Sequence, residues 1–445
     1  MPPEPNRSPE LTSARRVGLW LVGGLGGVGT TVAVGLSAWR RKCVDTTGLV
    51  TALPLFDGLD LDGPESFVLG GHEIRQSSWW QSAQEMRQRA GIFAPELLSA
   101  CRDDLEAWSA NLRPGTLLGV GETITALADL PNLPRLETPR QTIQRLQQDL
   151  LQFQQSHRLQ QVVVVNVAST EPPFAISEVH QSWSRLAEAL DGSGGRNQEW
   201  WALAHRGPPA VVADRNSASI LPASSLYALA AIELGWPYVN FTPSLGASFP
   251  AAVQLAEKQG GTLAGQDGKT GETLLKTVLA PMFAHRHLRV LSWVGHNIFG
   301  NRDGLVLHDP RNKESKVRTK DQVLARILGY KPQTLVSIEY IESLDDWKTA
   351  WDHIHFQGFL GVRMVMQFIW QGCDSILAAP LVIDLARLAL LAQRRGESGI
   401  LKHLACFFKN PMGVEEHDFF RQFALLEAYV ASVRGQPAPM PSSAS

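Results

Sequence analysis

The stretch VGLWLVGGLGGVGTTVAVGLSAWRR, residues Val17 to Arg41, decides the fold. Its first six residues form an unbroken apolar run that reads as a buried strand. GGLGGVG (Gly23 to Gly29) reads as a turn, and TTVAVGLSAWRR has the apolar spacing of a helix. Strand, glycine turn and helix in that order open a βαβ unit. Gly23, Gly26, Gly27 and Gly29 let the backbone approach a pyrophosphate, and the helix behind them offers unpaired N–H groups and the positive end of its dipole. A tight turn needs glycine for backbone reasons alone, so it is the flanking strand and helix that favour a dinucleotide site. The turn ends in Thr30 and Thr31 where a P-loop would carry Gly-Lys-Thr, which argues against a P-loop nucleotide hydrolase.

Working outward, GLVTALPLF (48–56), GTLLGV (115–120) and VVVVNVA (162–168) are further strand candidates, with helix-like stretches at 82–110 and 138–157. Apolar strands alternating with helices predict an α/β fold with a Rossmann-like, doubly wound parallel sheet. DGSGGRNQ (191–198) reads as a loop, and SASILPASSLYALAAIELG (217–235) as an apolar helix ahead of a strand at YVNF. Beyond residue 272 strand and helix signals mix with dense charge, which predicts an inserted α+β domain. The apolar periodicity over 376–434 is suited to a return to the first domain. The expected division is a disordered leader (1–13), a first domain (14–272 plus 378–434), a second domain (273–377) and a disordered tail (435–445).

With 445 residues and 44% hydrophobic content the chain can bury full cores. Its 41 basic and 43 acidic residues leave a formal charge of −2, which argues against nucleic acid or an anionic membrane as a partner. Cys43, Cys101, Cys373 and Cys406 stand apart with no CxxC pair, which fits a reducing cytoplasm better than a disulfide scaffold or zinc ribbon. The opening MPPEPNRSPELTSARR lacks the apolar run of a secretory signal. LAAPLVIDLARLALLA carries Asp384 and Arg387, which are costly in hydrocarbon, so a buried helix is expected there and no membrane span.

Of 11 lysines, ten lie between Lys258 and Lys409, and none lies between Lys42 and Lys258. Lysine, unlike arginine, gives up its proton when desolvated, so the cluster marks where proton transfer would occur, unless these residues only decorate a solvated face. Within it, GQDGKTGETLLK (265–276) sets Asp267, Lys269, Thr270 and Gly271 in a glycine-flanked turn ahead of a helix, a second anion cradle or a capped helix start. NIFGNRDG places Asn297, Asn301 and Asp303 around two glycines, suited to a polyhydroxylated ligand or to a polar turn. In KESKVRTK, Lys316 and Lys320 fall on one face of a helix. His353 and His355 have no partner that completes a metal site, so no metal is expected, and no GxSxG elbow is present.

In order and spacing, GGLGGVGTT, PYVNFTPS, GQDGKTGETLLK, NIFGNRDG, KESKVRTK, DDWKTAWD, CDSILAAPLVIDL and FFKNP resemble the myo-inositol-1-phosphate synthases up to about residue 412. The resemblance implies an NAD-binding Rossmann domain, an inserted domain for catalysis and tetramer assembly, and conversion of glucose 6-phosphate to inositol 1-phosphate. Oxidation at C5, enolisation, aldol ring closure and reduction by the same cofactor leave no net redox change. It places NAD contacts at Gly23, Gly26, Gly27, Val28, Gly29, Thr30, Ala168 and Thr170. The catalytic lysines fall on Lys316, Lys320, Lys348 and Lys409, with Asp267, Asp303 and Asp374 as their polar partners. Lys348, Thr270 and Gly271 would hold phosphate with Lys269 close by, while Asn297 and Asn301 orient the sugar. Simple counting of about twenty residues from the turn puts the ribose-binding carboxylate at Asp45; the resemblance puts it at Glu73, which is preferred. Glu272 stands where many members carry glutamine, and a carboxylate there repels phosphate unless turned away or neutralised by Lys269 or Lys276. A relative acting on a different sugar phosphate, or a non-catalytic NAD-binding assembly protein, are the alternatives.

Overall fold

A computed structural model describes residues 15–191, 219–307 and 323–435. Its strands are β1 (Val17–Val22), β2 (Phe67–Glu73), β3 (Leu112–Pro114), β4 (Gln161–Asn166), β5 (Tyr238–Asn240), β6 (Thr262–Gly265), β7 (Arg289–Phe299), β8 (Gln333–Tyr340), β9 (Trp347–Gln357), β10 (Arg363–Cys373) and β11 (Gly399–Ile400). The helices used below are α1 (Gly27–Arg40), α2 (Trp79–Ala90), α3 (Pro95–Ser109), α4 (Pro139–His157), α5 (Ala223–Glu233), α6 (Gly271–His285), α7 (Asp374–Arg394) and α8 (Phe419–Val433).

Seven strands form a parallel sheet in the order β11-β6-β5-β4-β1-β2-β3. All six residues of β1 are buried, as the apolar run requires of a central strand flanked by β2 and β4. Strand order reverses between β1 and β4, and the crevice beyond their carboxyl ends is where such sheets bind ligands. Phe153 of α4 meets Trp20 edge-on at 5.0 Å, while α1 packs against α3 and α7.

The second sheet, β10-β9-β7-β8, lies wholly in the inserted region. β7 pairs with β8 in parallel and with β9 antiparallel, and β9 pairs with β10 antiparallel. One face carries Trp293, Ile354 and Phe356 onto Ala280 and Phe283 of α6. The other leaves Leu335, Val365 and Ile369 exposed, and His296 stacks on Trp351 there with ring centroids 5.6 Å apart. His353 and His355 lie on β9, where alternate residues share a face.

Several elements differ from expectation. Residues 48–56 are not a strand but two 3₁₀ turns, Val50–Ala52 and Pro54–Phe56. The N–H groups of Val50 and Thr51 donate to Asp384 at 2.7 and 3.1 Å, and Pro54 has none to give a sheet. The strand near 115–120 is the shorter β3, just upstream. The stretch 82–110 is two helices, because Gly91 takes the left-handed conformation (φ 68°) that ends α2. The apolar helix expected over 217–235 is α5, beginning only at Ala223. The return segment is α7, β11 and α8 in place of one long helical run, and β11 supplies the seventh strand. Of the loop expected at 191–198, Asp191 ends a helix, Trp183–Asp191, and the rest, like the leader and most of the tail, falls outside the described residues.

Helix α7 is long and apolar enough to cross a membrane, yet 78% of its apolar window is buried inside the protein. Asp384 and Arg387 are its polar anchors. Asp384 also accepts from the Thr51 hydroxyl at 2.5 Å, and Arg387 Nε donates to the Asp62 carbonyl at 2.8 Å. Burial pushes the Asp384 carboxyl up to about 6.

Candidate functional site

A cleft of about 440 Å³ opens at the carboxyl ends of β1, β2, β4 and β5 and is closed on its far side by the second sheet and its loops. Its floor is the glycine turn. Gly23 has φ +79°, and a Cβ there would stand 2.6 Å from Ala168 Cα, so only glycine fits between β1 and the loop after β4. Gly26 precedes the first turn of α1 with no side-chain cap, leaving the N–H groups of that turn facing the cleft. Gly23, Gly26, Gly27, Val28, Glu73, Ala168 and Thr170 all line it. Gly29 and Thr30 do not. Gly29 packs on Gly24, and Thr30 is fully buried with its N–H donated to the Gly26 carbonyl at 2.9 Å.

Glu73 ends β2 with both oxygens engaged: Oε2 accepts from Leu25 N–H at 2.9 Å and Oε1 from Ile74 N–H at 2.8 Å. The carboxylate is thereby fixed beside the glycine turn. Asp45, the residue found by counting, is exposed and accepts from Thr47 N–H at 2.9 Å within its own loop. Physically the count fails because an intervening segment with three 3₁₀ turns separates α1 from β2.

At the other end, the loop after β6 and the segment after β11 lie side by side. Lys409 N–H donates to the Asp267 carbonyl at 2.7 Å, and Lys409 Nζ reaches Asp267 Oδ1 at 2.8 Å. Asp267 sits at φ +64°, a conformation aspartate tolerates better than most residues. Lys348 Nζ lies 3.8 Å from Asp374 Oδ2 and 5.2 Å from the Phe299 ring centre. Asp303 accepts from Thr170 N–H and hydroxyl at 3.4 and 3.3 Å, joining the two domains. Thr270, Asn297, Lys348 and Lys409 surround a side pocket that adjoins this cleft. Thr270 precedes α6 without spending its hydroxyl on a helix cap. Gly271, at φ +53°, is buried beneath it.

Lys269 is the exception within the motif. Its ammonium is buried, donates to Gln422 Oε1 of α8 and lies 5.9 Å from the Phe419 ring centre, so it points away from the cleft. Burial pulls it down to about 8. Glu272 is neutralised by Lys276, whose Nζ is 2.5 Å from Glu272 Oε1 and 4.0 Å from Asp352 Oδ1. All three are buried, and Trp293 Nε1 donates to Asp352 at 2.6 Å. Gly295 makes room for them, since a Cβ there would be 2.5 Å from Glu272 Oε1. Lys316 and Lys320 lie outside the described residues.

Sequence reading missed Asp346 and Glu171. Asp346 accepts from Ser375 N–H (3.0 Å), Ser375 hydroxyl (2.9 Å), Cys373 Sγ (2.8 Å) and Asn301 Nδ2 (3.2 Å), where the first turn of α7 meets the second domain. Burial raises its pKa. Its only sequence signal is the acidic pair immediately before Trp347-Lys348. Glu171 is buried after β4, accepts from Ser224 N–H at 2.7 Å and from the Ser224 hydroxyl at 2.5 Å, and is pushed up to about 7 by burial. Both residues line the cleft.

Sheet order, glycine turn and fixed acid at the end of β2 are those of an NAD-binding Rossmann domain, here joined to a second domain that brings Asn301, Asp303 and Asp346 to the same cleft and Lys348 to the side pocket adjoining it. Two sequence-family models, both described as myo-inositol-1-phosphate synthase, match residues 17–196 and 271–375. The chain is 30% identical to inositol-3-phosphate synthase 1 of Bacteroides thetaiotaomicron, over 95% of this chain and 97% of that one. It is 26% identical to the inositol-3-phosphate synthase of Dictyostelium discoideum, over 85% and 75% respectively. The crystal structure of inositol-3-phosphate synthase from Caenorhabditis elegans shares the fold with a TM-score of 0.80 at 24% identity, covering 96% of this chain and 87% of that one. The chain belongs to the myo-inositol-1-phosphate synthase family of enzymes.

Proposed function

We propose that this enzyme cyclises D-glucose 6-phosphate to 1L-myo-inositol 1-phosphate with tightly held NAD. The observation that carries the reading is one cleft with the glycine turn and Glu73 at one end and the Lys409–Asp267 pair at the other, where an adjoining side pocket adds Lys348 beside Asp374. The residues present fit the cofactor. A Cβ on Gly26 would meet only the Gly23 carbonyl, at 3.2 Å, so the turn leaves open the space a pyrophosphate would occupy. Gly26, Gly27 and Val28 would hold that group and Glu73 the adenosine ribose, with Ala168 and Thr170 flanking the nicotinamide half.

Bound NAD supplies a hydride acceptor for C5 and returns the hydride at the end. The protein's own groups do the rest. Thr270, the first turn of α6 and Lys348 hold the phosphate, with Glu272 kept from repelling it by Lys276. Lys409, oriented by Asp267, exchanges the proton of the C5 oxygen, a role Lys316 shares. Once C5 is a ketone, a proton leaves C6, the carbanion attacks the C1 aldehyde, and Lys320 neutralises the oxyanion that forms there. Asn297, Asn301 and Asp303 hold hydroxyls, and Asp374 orients Lys348. Reduction at C5 completes an isomerisation: the hydride goes back to C5, and the proton lost from C6 is balanced by the proton taken up at the C1 oxygen.

The same reading includes a homotetramer in the cytoplasm. The apolar outer face of the second sheet supports assembly, and the four unpaired cysteines support a reducing compartment. Light scattering at micromolar concentration tests the assembly, with a monomer as the contrary result. Turnover of glucose 6-phosphate with NAD, followed by NMR, tests the chemistry.

A further inference from the structure

Arg302 lies between Asn301 and Asp303 in the sugar-facing motif, yet it reaches the other way. Its Nη2 donates to both oxygens of Glu85, at 2.7 and 2.9 Å, on α2 of the first domain. One turn further along α2, Arg89 Nε donates to Asp345 Oδ1 at 2.7 Å, and at the helix end Trp347 Nε1 donates to the Ala90 carbonyl at 2.9 Å. The two second-domain loops are themselves joined, Gly300 N–H to the Asp345 carbonyl at 2.9 Å. Ser82, Glu85, Met86, Arg89 and Ala90 share one face of α2 and line the cleft on the side of Glu73 and Arg75.

We infer that α2 is a latch across the adenosine end of the cleft, closed on the second domain by the Arg302–Glu85–Arg89–Asp345 chain of charges and the Trp347 hydrogen bond, and that it sets how fast NAD is released. The inference rests on the proposed use of NAD. A cofactor that accepts and returns the same hydride has no reason to leave between turnovers, whereas a cofactor of net oxidation must. A device that slows exchange without touching the reacting atoms suits the first kind.

Each pair is 20–45% exposed, so singly it contributes little; linked into a network by Arg89 Nη1, 3.8 Å from Glu85 Oε1, the pairs act together. Salt weakens such pairs by screening. The test uses the full chain loaded with NADH, whose fluorescence reports release when excess NAD is added. In Glu85→Gln with Asp345→Asn, which removes both charges at near-constant side-chain size, release should quicken by roughly 5- to 10-fold. Wild-type release should quicken with sodium chloride, and release from the double variant should not. The unfolding temperature without cofactor and kcat at saturating NAD should stay near wild type. Unchanged release and an unchanged salt response in the double variant would overturn the latch alone. Failure of the wild-type chain to bind NADH would overturn the latch and the proposed cofactor together.

Discussion

Replacing Gly26 by valine separates the cofactor site from the fold that carries it. Gly26 has φ −67° and ψ 169°, an extended conformation that valine adopts readily, and its added Cβ would meet a single protein atom, the Gly23 carbonyl at 3.2 Å. Stability should therefore change by no more than about 1 kcal/mol. The side chain would instead fill the space over the first turn of α1, displacing the pyrophosphate from at least two N–H groups. Hydrogen bonds to a charged group contribute about 1.5–3 kcal/mol each, so the loss is about 3 kcal/mol or more, a fall in NAD affinity of at least roughly 100-fold. Gly29→Ala is the contrasting variant. Its Cβ would lie 2.4 Å from the Gly24 carbonyl oxygen and 2.8 Å from Gly24 Cα, both backbone, so it should destabilise the domain by about 1–3 kcal/mol. Calorimetric titration with NAD and thermal unfolding of both variants distinguish the two effects. A folded Gly26→Val protein that binds NAD within a few-fold of wild type would refute the reasoning.

Lys409→Met should stop turnover and also cost about 3–5 kcal/mol, since Asp267 is left buried without its ammonium; adding Asp267→Asn should restore stability to urea without restoring activity. Lys348→Ala should raise KM for the sugar phosphate far more than it lowers kcat, because a phosphate contact is made equally in ground and transition states, and steady-state kinetics read the split. Burial raises Glu171 from its ordinary 4.5 to about 7, so its carboxyl favours the fold fully below pH 4.5 and that contribution is lost as pH rises through 7. Urea unfolding at pH 5 and pH 7.5 should show wild type losing roughly 2.4 kcal/mol more than Glu171→Gln across that window, and equal losses would contradict the assignment.

Periodicity and glycine spacing made the first domain legible, because β1, the turn and α1 are local features, each decided within a few residues. Several of the failures share one cause, a partner distant in sequence. Residues 48–56 have strand composition, but their N–H groups go to Asp384, more than 300 positions away. Lys269 sits in a turn that reads as an anion cradle, yet Gln422 of α8 takes its ammonium. Asp346 has nothing around it in sequence to show that Ser375, Cys373 and Asn301 converge on it. The lysine count was informative within limits. Among the described lysines of that stretch, Lys269, Lys276, Lys348 and Lys409 are buried or half-buried around the site, while Lys258, Lys331 and Lys402 are exposed. Glu272 could be weighed from sequence only as a conflict, and the partner that resolves it, Lys276, is one helical turn away.

The proposed reaction is an isomerisation in which the cofactor is oxidant and reductant in turn. The most direct measurement incubates the purified chain with NAD and glucose 6-phosphate labelled with ¹³C, following the product by NMR and NADH by absorbance in the same sample. Myo-inositol 1-phosphate should accumulate over many turnovers with no more NADH than enzyme present. NADH rising in step with product would show a net oxidation, and an unchanged sugar phosphate in the presence of bound NAD would show that this cleft acts on something else.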